Sequence, residues 1–169
     1  RDVRAVFIQD DLFILPSERA ALARFASLSE AFAERRLPTL AFWIKGRPES
    51  LTRPVLEAAK RFGALHLFLG IENASAERLR YLGRTHRPED AERALALCAE
   101  VGVHPSFNVM LFDPETTLDD VERNLDFLKR YVDYPGTCAE PRSIPEPICS
   151  RNSRTKGDSS VIFGVGATA

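Results

Sequence analysis

Apolar positions fall in blocks along this chain, and the blocks change period in a regular order. Val3 to Gln9 is a short, β-branched run that closes on Asp10 and Asp11, which predicts a strand. Pro16 and Ser17 open a helix that Ser17 can cap, with Leu22, Phe25, Leu28 and Phe32 as its stripe and Arg35–Arg36 near its C-terminus. Pro38 interrupts, and Thr39 to Ile44 predicts a second strand stopping at Lys45, Gly46 and Arg47. A second helix carries Val55, Leu56, Ala59 and Phe62, and Gly63 terminates it. Leu65 to Ile71 reads as a buried strand ending at Glu72. The turn Asn73-Ala74-Ser75 and a short helix to Gly83–Arg84 follow. Pro88 fits the first turn of a helix with Ala94, Leu97, Cys98 and Val101 on its inner face, stopped by Gly102. The fourth strand, His104 to Phe112, ends at Asp113. Thr117 with Asp120 then resembles a capping box, and Leu118, Val121, Leu125, Leu128 and Val132 repeat at helical spacing.

Four strand–helix repeats predict an α/β fold with a parallel sheet and helices packed outside it, curled as a partial (βα) barrel. Every strand places polar residues at its C-terminal end: Asp10 and Asp11, Lys45 and Arg47, Glu72 and Asn73, Asp113 and Glu115. In a barrel those ends share one rim, where active sites are built. From Pro135 the apolar period disappears among scattered Pro, Ser, Arg and Gly, so the expected folded unit is residues 1–134, with 135–169 as an irregular tail.

Composition narrows the classes. The chain has 169 residues, 44% hydrophobic and 28% charged, with net charge −1, which suits a globular α/β domain. That charge gives no electrostatic argument for nucleic acid or for an anionic membrane, and no apolar run is long enough to span one. Arg1 to Ile8 reads as a lead-in to a strand and not as a signal peptide, so the chain is expected to begin inside a longer protein. The cysteines, Cys98, Cys138 and Cys149, form no close pair, which points away from a disulfide framework or metal knuckle and toward a reducing cytoplasm.

As an ordered set, IQDDLF (Ile8 to Phe13), FWIKGRPE (Phe42 to Glu49), LFLGIENAS (Leu67 to Ser75) with the following LGR, and FNVMLFDPETT (Phe107 to Thr117) resemble the later half of a radical SAM core domain. The likeness is strongest to the branch that often carries an N-terminal cobalamin-binding domain, and it covers residues 3 to about 133. The resemblance implies a partial (βα)6 barrel with these strands as third to sixth. It also implies reductive cleavage of S-adenosylmethionine (SAM) at a [4Fe-4S] cluster to a 5′-deoxyadenosyl radical, with cobalamin as a possible further cofactor. By the same resemblance Glu72, Asn73 and Ser75 match a turn beside SAM, with Asn73 in place of the commoner Ser, and Arg84 matches a basic residue that pairs with the SAM carboxylate. Asp10 and Asp11 match an acidic strand end facing the substrate cavity, Arg47 a basic residue after the fourth strand, and Phe112 and Asp113 the segment closing the adenine side.

The family's cluster loop, C-x3-C-x2-C, is absent from the chain, as are the first two strands. An iron–sulfur cluster needs thiolates. The expected partners are therefore the missing N-terminal half of the barrel and a small-molecule substrate. No residue is assigned as a metal ligand. The tail departs too: relatives continue with a segment like C-R-A-E-x-Y-x-G-T, then E-G-R-L-x-G-D. Back-translating Cys138 onward with permitted codons, the neighbouring frame can give that pattern, which predicts a frameshift near Pro135 to Cys138.

Plainer readings stand beside these. Glu72 suits a helix start as a solvated acid, Arg84 can cap helix carbonyls, and only one of Asp10 and Asp11 can face a cavity from a strand. Phe42 and Trp43 read as core, His66 and His104 as structural histidines, His86 as a solvated turn residue, and Cys98 as a small core residue. Three functions compete: a portion of a radical SAM enzyme, inactive alone; a non-catalytic remnant or interaction module; and an unrelated barrel enzyme using Asp10, Glu72 and Asp113 with a divalent metal.

Overall fold

The structure, a computed structural model, describes residues 3–131. The expected boundary at residue 134, the tail with Cys138 and Cys149, and its alternative reading frame lie outside the described residues. The elements run β1 (Ala5–Phe7), α1 (Glu18–Glu34), β2 (Ala41–Gly46), a 3-10 turn (Pro48–Ser50), α2 (Arg53–Phe62), β3 (Ala64–Glu72), α3 (Ala76–Tyr81), α4 (Pro88–Val101), β4 (His104–Val109) and α5 (Leu118–Tyr131).

The four strands form one sheet in the order β1-β2-β3-β4, each parallel to its neighbour in sequence. This is the partial (βα) barrel the sequence predicts. Sequential parallel order needs every crossover on the same side, so the helices share one face, and no described helix covers the other, concave one. The pleat sorts the side chains accordingly. Phe42, Ile44, Leu67, Leu69 and Ile71 join Phe25 of α1, Leu56 of α2, Leu95 of α4 and Phe127 of α5 in one buried core. Each such side chain stabilises the fold by about 1.5–3 kcal/mol. Phe42 stacks on Phe62 at a centroid distance of 4.4 Å, and Phe32 meets both edge-on at 5.7 and 5.5 Å. Gly63 ends α2 with φ 108°, and a Cβ there would lie 2.4 Å from the Leu40 carbonyl, so only glycine fits.

Three expectations change. Trp43 is not core: it lies on the concave face, 45% exposed, in a row with Phe7, His66 and His104. His86 is not solvated but buried. On α5 the inward face is Asp120, Asn124 and Phe127, whereas Leu118 and Leu125 are 82% and 42% exposed. The apolar repeat misleads there because two inward positions carry polar side chains that fasten the rim of the sheet. Strand limits also shift: β1 and β4 are shorter than predicted, and β2 runs on through Lys45 to Gly46.

Candidate functional site

The end of β3 is a tight, over-constrained turn. Asn73 N donates to Ile71 O at 2.7 Å across Glu72, whose φ is +64°. That is a γ-turn with a left-handed central residue, a rare conformation for a non-glycine and worth about 1–3 kcal/mol of strain. Its neighbours hold it. Met110 N, just past β4, donates to Glu72 O at 2.6 Å. The buried Asn73 amide donates to Met110 O at 3.1 Å and accepts from Ser75 N at 2.9 Å. Asn124 reaches across from α5, accepting from Ala74 N at 2.8 Å and donating to Met110 O at 3.4 Å. Ser75 caps α3 by accepting from Arg78 N at 3.4 Å.

Arg78 locks the loop after β4 onto this turn. Its guanidinium forms a buried ion pair with Asp113, donates to Glu115 O at 3.2 Å, and stacks over Tyr81 with its central carbon 4.3 Å from the ring centroid. The hydrogen bond from Arg78 holds the Asp113 carboxyl below the usual carboxylate range, with burial opposing it and the Glu115 amide and Thr116 hydroxyl helping. Asp120 is lowered mainly by the Thr117 hydroxyl, and together they make the capping box expected at the start of α5.

Glu72 and Arg84 are the pair this scaffold presents. Arg84 Nη2 donates to Glu72 Oε1 at 2.8 Å, and both side chains are partly exposed. Arg84 Nε is shielded from solvent and has no hydrogen-bond partner. Arg84 also borders a cleft of about 610 Å³ with Arg80, Thr85, His86 and Arg87. A partly exposed guanidinium beside such a cleft suits a carboxylate ligand. Arg84 is not a helix cap through its side chain; its backbone N–H does that, to Leu79 O at 2.8 Å.

The first two strand ends are looser. Asp10 and Asp11 lie beyond β1. Asp10 accepts from Leu12 N at 2.9 Å and pairs with Arg24 of α1 at 3.4 Å, while Asp11 pairs with Lys45 at 2.7 Å. The lysine ammonium draws the Asp11 carboxyl below its ordinary value. Arg47 is exposed, and Phe112 is 74% exposed. Of the predicted site residues, Glu72, Asn73, Ser75, Arg84 and Asp113 therefore share one connected cluster, whereas Asp10 and Asp11 belong to a separate one beside Lys45. Asn73, Ser75 and Asp113 are engaged by backbone or by Arg78, which fits them to hold the site more than to contact a ligand. Sequence reasoning missed Arg78, Asn124 and the buried His86. A polar pair at i and i+4 (Asp120, Asn124) inside an otherwise amphipathic helix was the available signal.

The sequence profile of the radical SAM superfamily matches residues 13–128. The chain belongs to the radical SAM superfamily. An uncharacterized methyltransferase of Pyrococcus horikoshii is 24% identical over 133 residues, which is 78% of this chain and 28% of that protein. In fold, the chain is similar to the cobalamin-dependent S-adenosylmethionine radical enzyme OxsB with aqua-cobalamin bound. The TM-score is 0.65 at 22% identity, over 77% of this chain and 20% of OxsB. The radical S-adenosylmethionine methyltransferase TsrM from Kitasatospora setae, with cobalamin and an iron–sulfur cluster bound, gives a TM-score of 0.64 at 20% identity, over 75% of this chain and 24% of its own. The chain thus spans about a fifth to just over a quarter of these relatives and shares their fold.

Family membership raises the question of the iron–sulfur cluster, and the described residues do not fit one. Cys98, their one free thiol, is buried in the core on α4, and burial pushes it up to about 12. No group of three or more His, Cys, Asp or Glu among the described residues could hold a metal ion. Asp10, Glu72 and Asp113, the acids of the divalent-metal reading, are each paired with a different arginine. No described helix is long and apolar enough to cross a membrane.

Proposed function

We propose that this chain is the SAM-binding portion of a radical SAM barrel whose cluster cysteines are supplied by a preceding segment or a separate polypeptide. The observation that carries the reading is the Glu72–Arg84 pair at the strand rim, with the Arg84 side chain partly exposed and bordering a cleft. Arg84 would take the carboxylate of the methionyl end and Glu72 its ammonium. SAM, when bound and reduced by the parent's cluster, supplies the radical chemistry. What this chain contributes is orientation: a left-handed turn, two buried amides and a buried ion pair that fix where Glu72 points. The likeness to OxsB and TsrM supports a parent of the cobalamin-associated branch, performing a methylation, cyclisation or rearrangement on a small molecule. The cobalamin belongs to that parent and not to these residues.

Equilibrium dialysis of the full chain against labelled SAM tests the reading. Binding should weaken at least about tenfold in Arg84→Ala, the loss expected when one charge-assisted hydrogen bond disappears. Unchanged binding in Arg84→Ala would refute the assignment. Anaerobic treatment with iron and sulfide should yield no cluster and no 5′-deoxyadenosine from this chain alone. Cluster-dependent product would show that the thiolates are all present here. The third reading, a divalent-metal hydrolase, would instead give Mg2+-dependent activity.

A further inference from the structure

The positive-φ turn at Glu72 has a support behind it that plays no part in the pairing with Arg84. The Ile71 carbonyl, directly ahead of Glu72, lies 3.0 Å from Nε2 of the buried His86. A carbonyl only accepts, so Nε2 carries a proton and donates it. The other ring nitrogen, Nδ1, faces Glu49 Oε2 at 3.6 Å. That carboxylate oxygen is buried without a hydrogen-bond partner, while Glu49 Oε1 accepts from Thr85 Oγ1 at 2.8 Å. Glu49 lies in the 3-10 turn after β2, and His86 follows Arg84 and Thr85 in the loop between α3 and α4. One short loop therefore sends Arg84 forward onto Glu72, His86 back onto the peptide that precedes Glu72, and Thr85 sideways onto Glu49.

We infer that His86 and Glu49 are positioning residues for the Glu72–Arg84 pair. The His86 N–H holds the Ile71 carbonyl in the orientation that a left-handed Glu72 needs, and Glu49 anchors the loop that carries His86 through Thr85. Their part is to hold the backbone and the loop that carry the pair. Strain at Glu72 makes this support necessary: without it the backbone gains by relaxing to an extended conformation, and the carboxylate swings away from Arg84. The ligand side of this inference rests on the proposed SAM site, and its backbone side does not.

The test uses three His86 variants and two Glu49 variants of the full chain. Glutamine places an amide N–H about where Nε2 sits, asparagine places one nearer Nδ1, and alanine offers none. His86→Gln should keep Glu72 at positive φ in a crystal structure and keep S-adenosylhomocysteine affinity within about twofold. His86→Asn and His86→Ala should relax Glu72 to negative φ and weaken binding about tenfold, the value of one buried hydrogen bond. Glu49→Ala should loosen the loop and weaken binding, with Glu49→Gln, still an acceptor for Thr85, between it and the native chain. A positive φ at Glu72 in His86→Asn, or equal losses in His86→Gln and His86→Ala, overturns the inference. Should His86→Ala fail to fold, the Gln-against-Asn comparison decides. Should the native chain bind no SAM analogue, the proposed function fails, while the φ of Glu72 in the variants still decides this inference.

Discussion

The two halves of the rim look equivalent in the sequence, since each ends its strands on acids and bases, but the structure treats them differently. At β3 and β4 the charges are buried and interlocked: Arg78 with Asp113, Asn73 and Asn124 both onto Met110 O, and a strained Glu72 at the centre. At β1 and β2 the acids themselves are exposed, Asp10 paired with Arg24, which also donates to Phe13 O, and Asp11 paired with Lys45. Water decides the difference. A polar group removed from water costs stability unless protein satisfies it, so the buried rim is held by a network, whereas an exposed pair contributes little to stability and remains available to something else. One half of the rim is scaffold with the proposed site on its lip. The other is open chemistry.

The sharpest way to break that contrast is Arg78→Ala. It strands Asp113 in a nearly dry position and frees the loop after β4, so Tm should drop by about 10 °C or more in a thermal melt. A fall of only one or two degrees would mean that the network is ornamental. Arg78 Nε and Asp113 Oδ2 have no hydrogen-bond partners, so the pair is imperfectly satisfied. The double variant Arg78→Met/Asp113→Leu should accordingly recover much of the loss. Next comes Asn124→Ala, which removes the acceptor for Ala74 N and one donor to Met110 O. About 2 kcal/mol of stability should go in a urea titration, because one buried amide is left orphaned.

How much of this was legible depended on whether a residue's environment was local. The β-strands, the stop at Gly63, the Ser17 cap and the Thr117–Asp120 box follow from nearest-neighbour rules, and the structure has all of them. Glu72 at a strand end was legible, but its positive φ was not, since nothing local favours a left-handed glutamate. Nothing local singles out Arg78, because its partner Asp113 lies 35 residues away. The inward face of α5 was misread for the same reason: Asn124 is buried to serve Ala74 and Met110, and that need arises only once three distant segments meet. Trp43 was placed in the core because strand aromatics usually pack, whereas here the concave face has no helix over it among the described residues.

Acid should separate the regions by pH. His66, on the concave face, is drawn down from 6.5 to about 4, chiefly by burial and secondarily by His104. The unfolded chain takes that proton first, so its contribution is fully present above pH 6.5 and is lost as pH falls toward 4. Asp113 is depressed below 3.8 by Arg78, so its contribution persists down to about that pH and disappears only as pH falls further. His66→Gln should therefore flatten the stability profile between pH 6.5 and 4, and Asp113→Asn should flatten it only below 3.8. Reversed windows in denaturant titrations at stepped pH would contradict both assignments.

Glu72→Gly separates scaffold from site within the buried half. Glycine accepts φ +64° without steric cost, so relief of about 1 kcal/mol should roughly offset the lost ion pair, leaving the urea midpoint nearly unchanged. SAM binding should nevertheless fall, because the carboxylate is gone. A large stability loss would mean that Glu72 matters for packing and not for a ligand.

The smallest stability effect belongs to the open half. Asp11→Asn removes the partner of Lys45 at a side chain that is 89% exposed, and Tm should move by less than about 2 °C. What makes the variant informative is the activity it should change. Lys45 lies on the concave face of β2, in the same pleat as Trp43, and its ammonium is 5.9 Å from the Phe7 ring centroid. Neutralising Asp11 leaves that ammonium uncompensated at the mouth of the barrel. If Asp10 and Asp11 form the substrate end, as their place on the rim implies, the parent enzyme carrying Asp11→Asn should lose kcat/KM at unchanged Tm, with SAM affinity intact. Loss of SAM affinity instead would place Asp11 in the cofactor site and collapse the division of the rim into two halves. No change in either quantity would make the acidic pair solvated surface, and the contrast would then be between a site and no site.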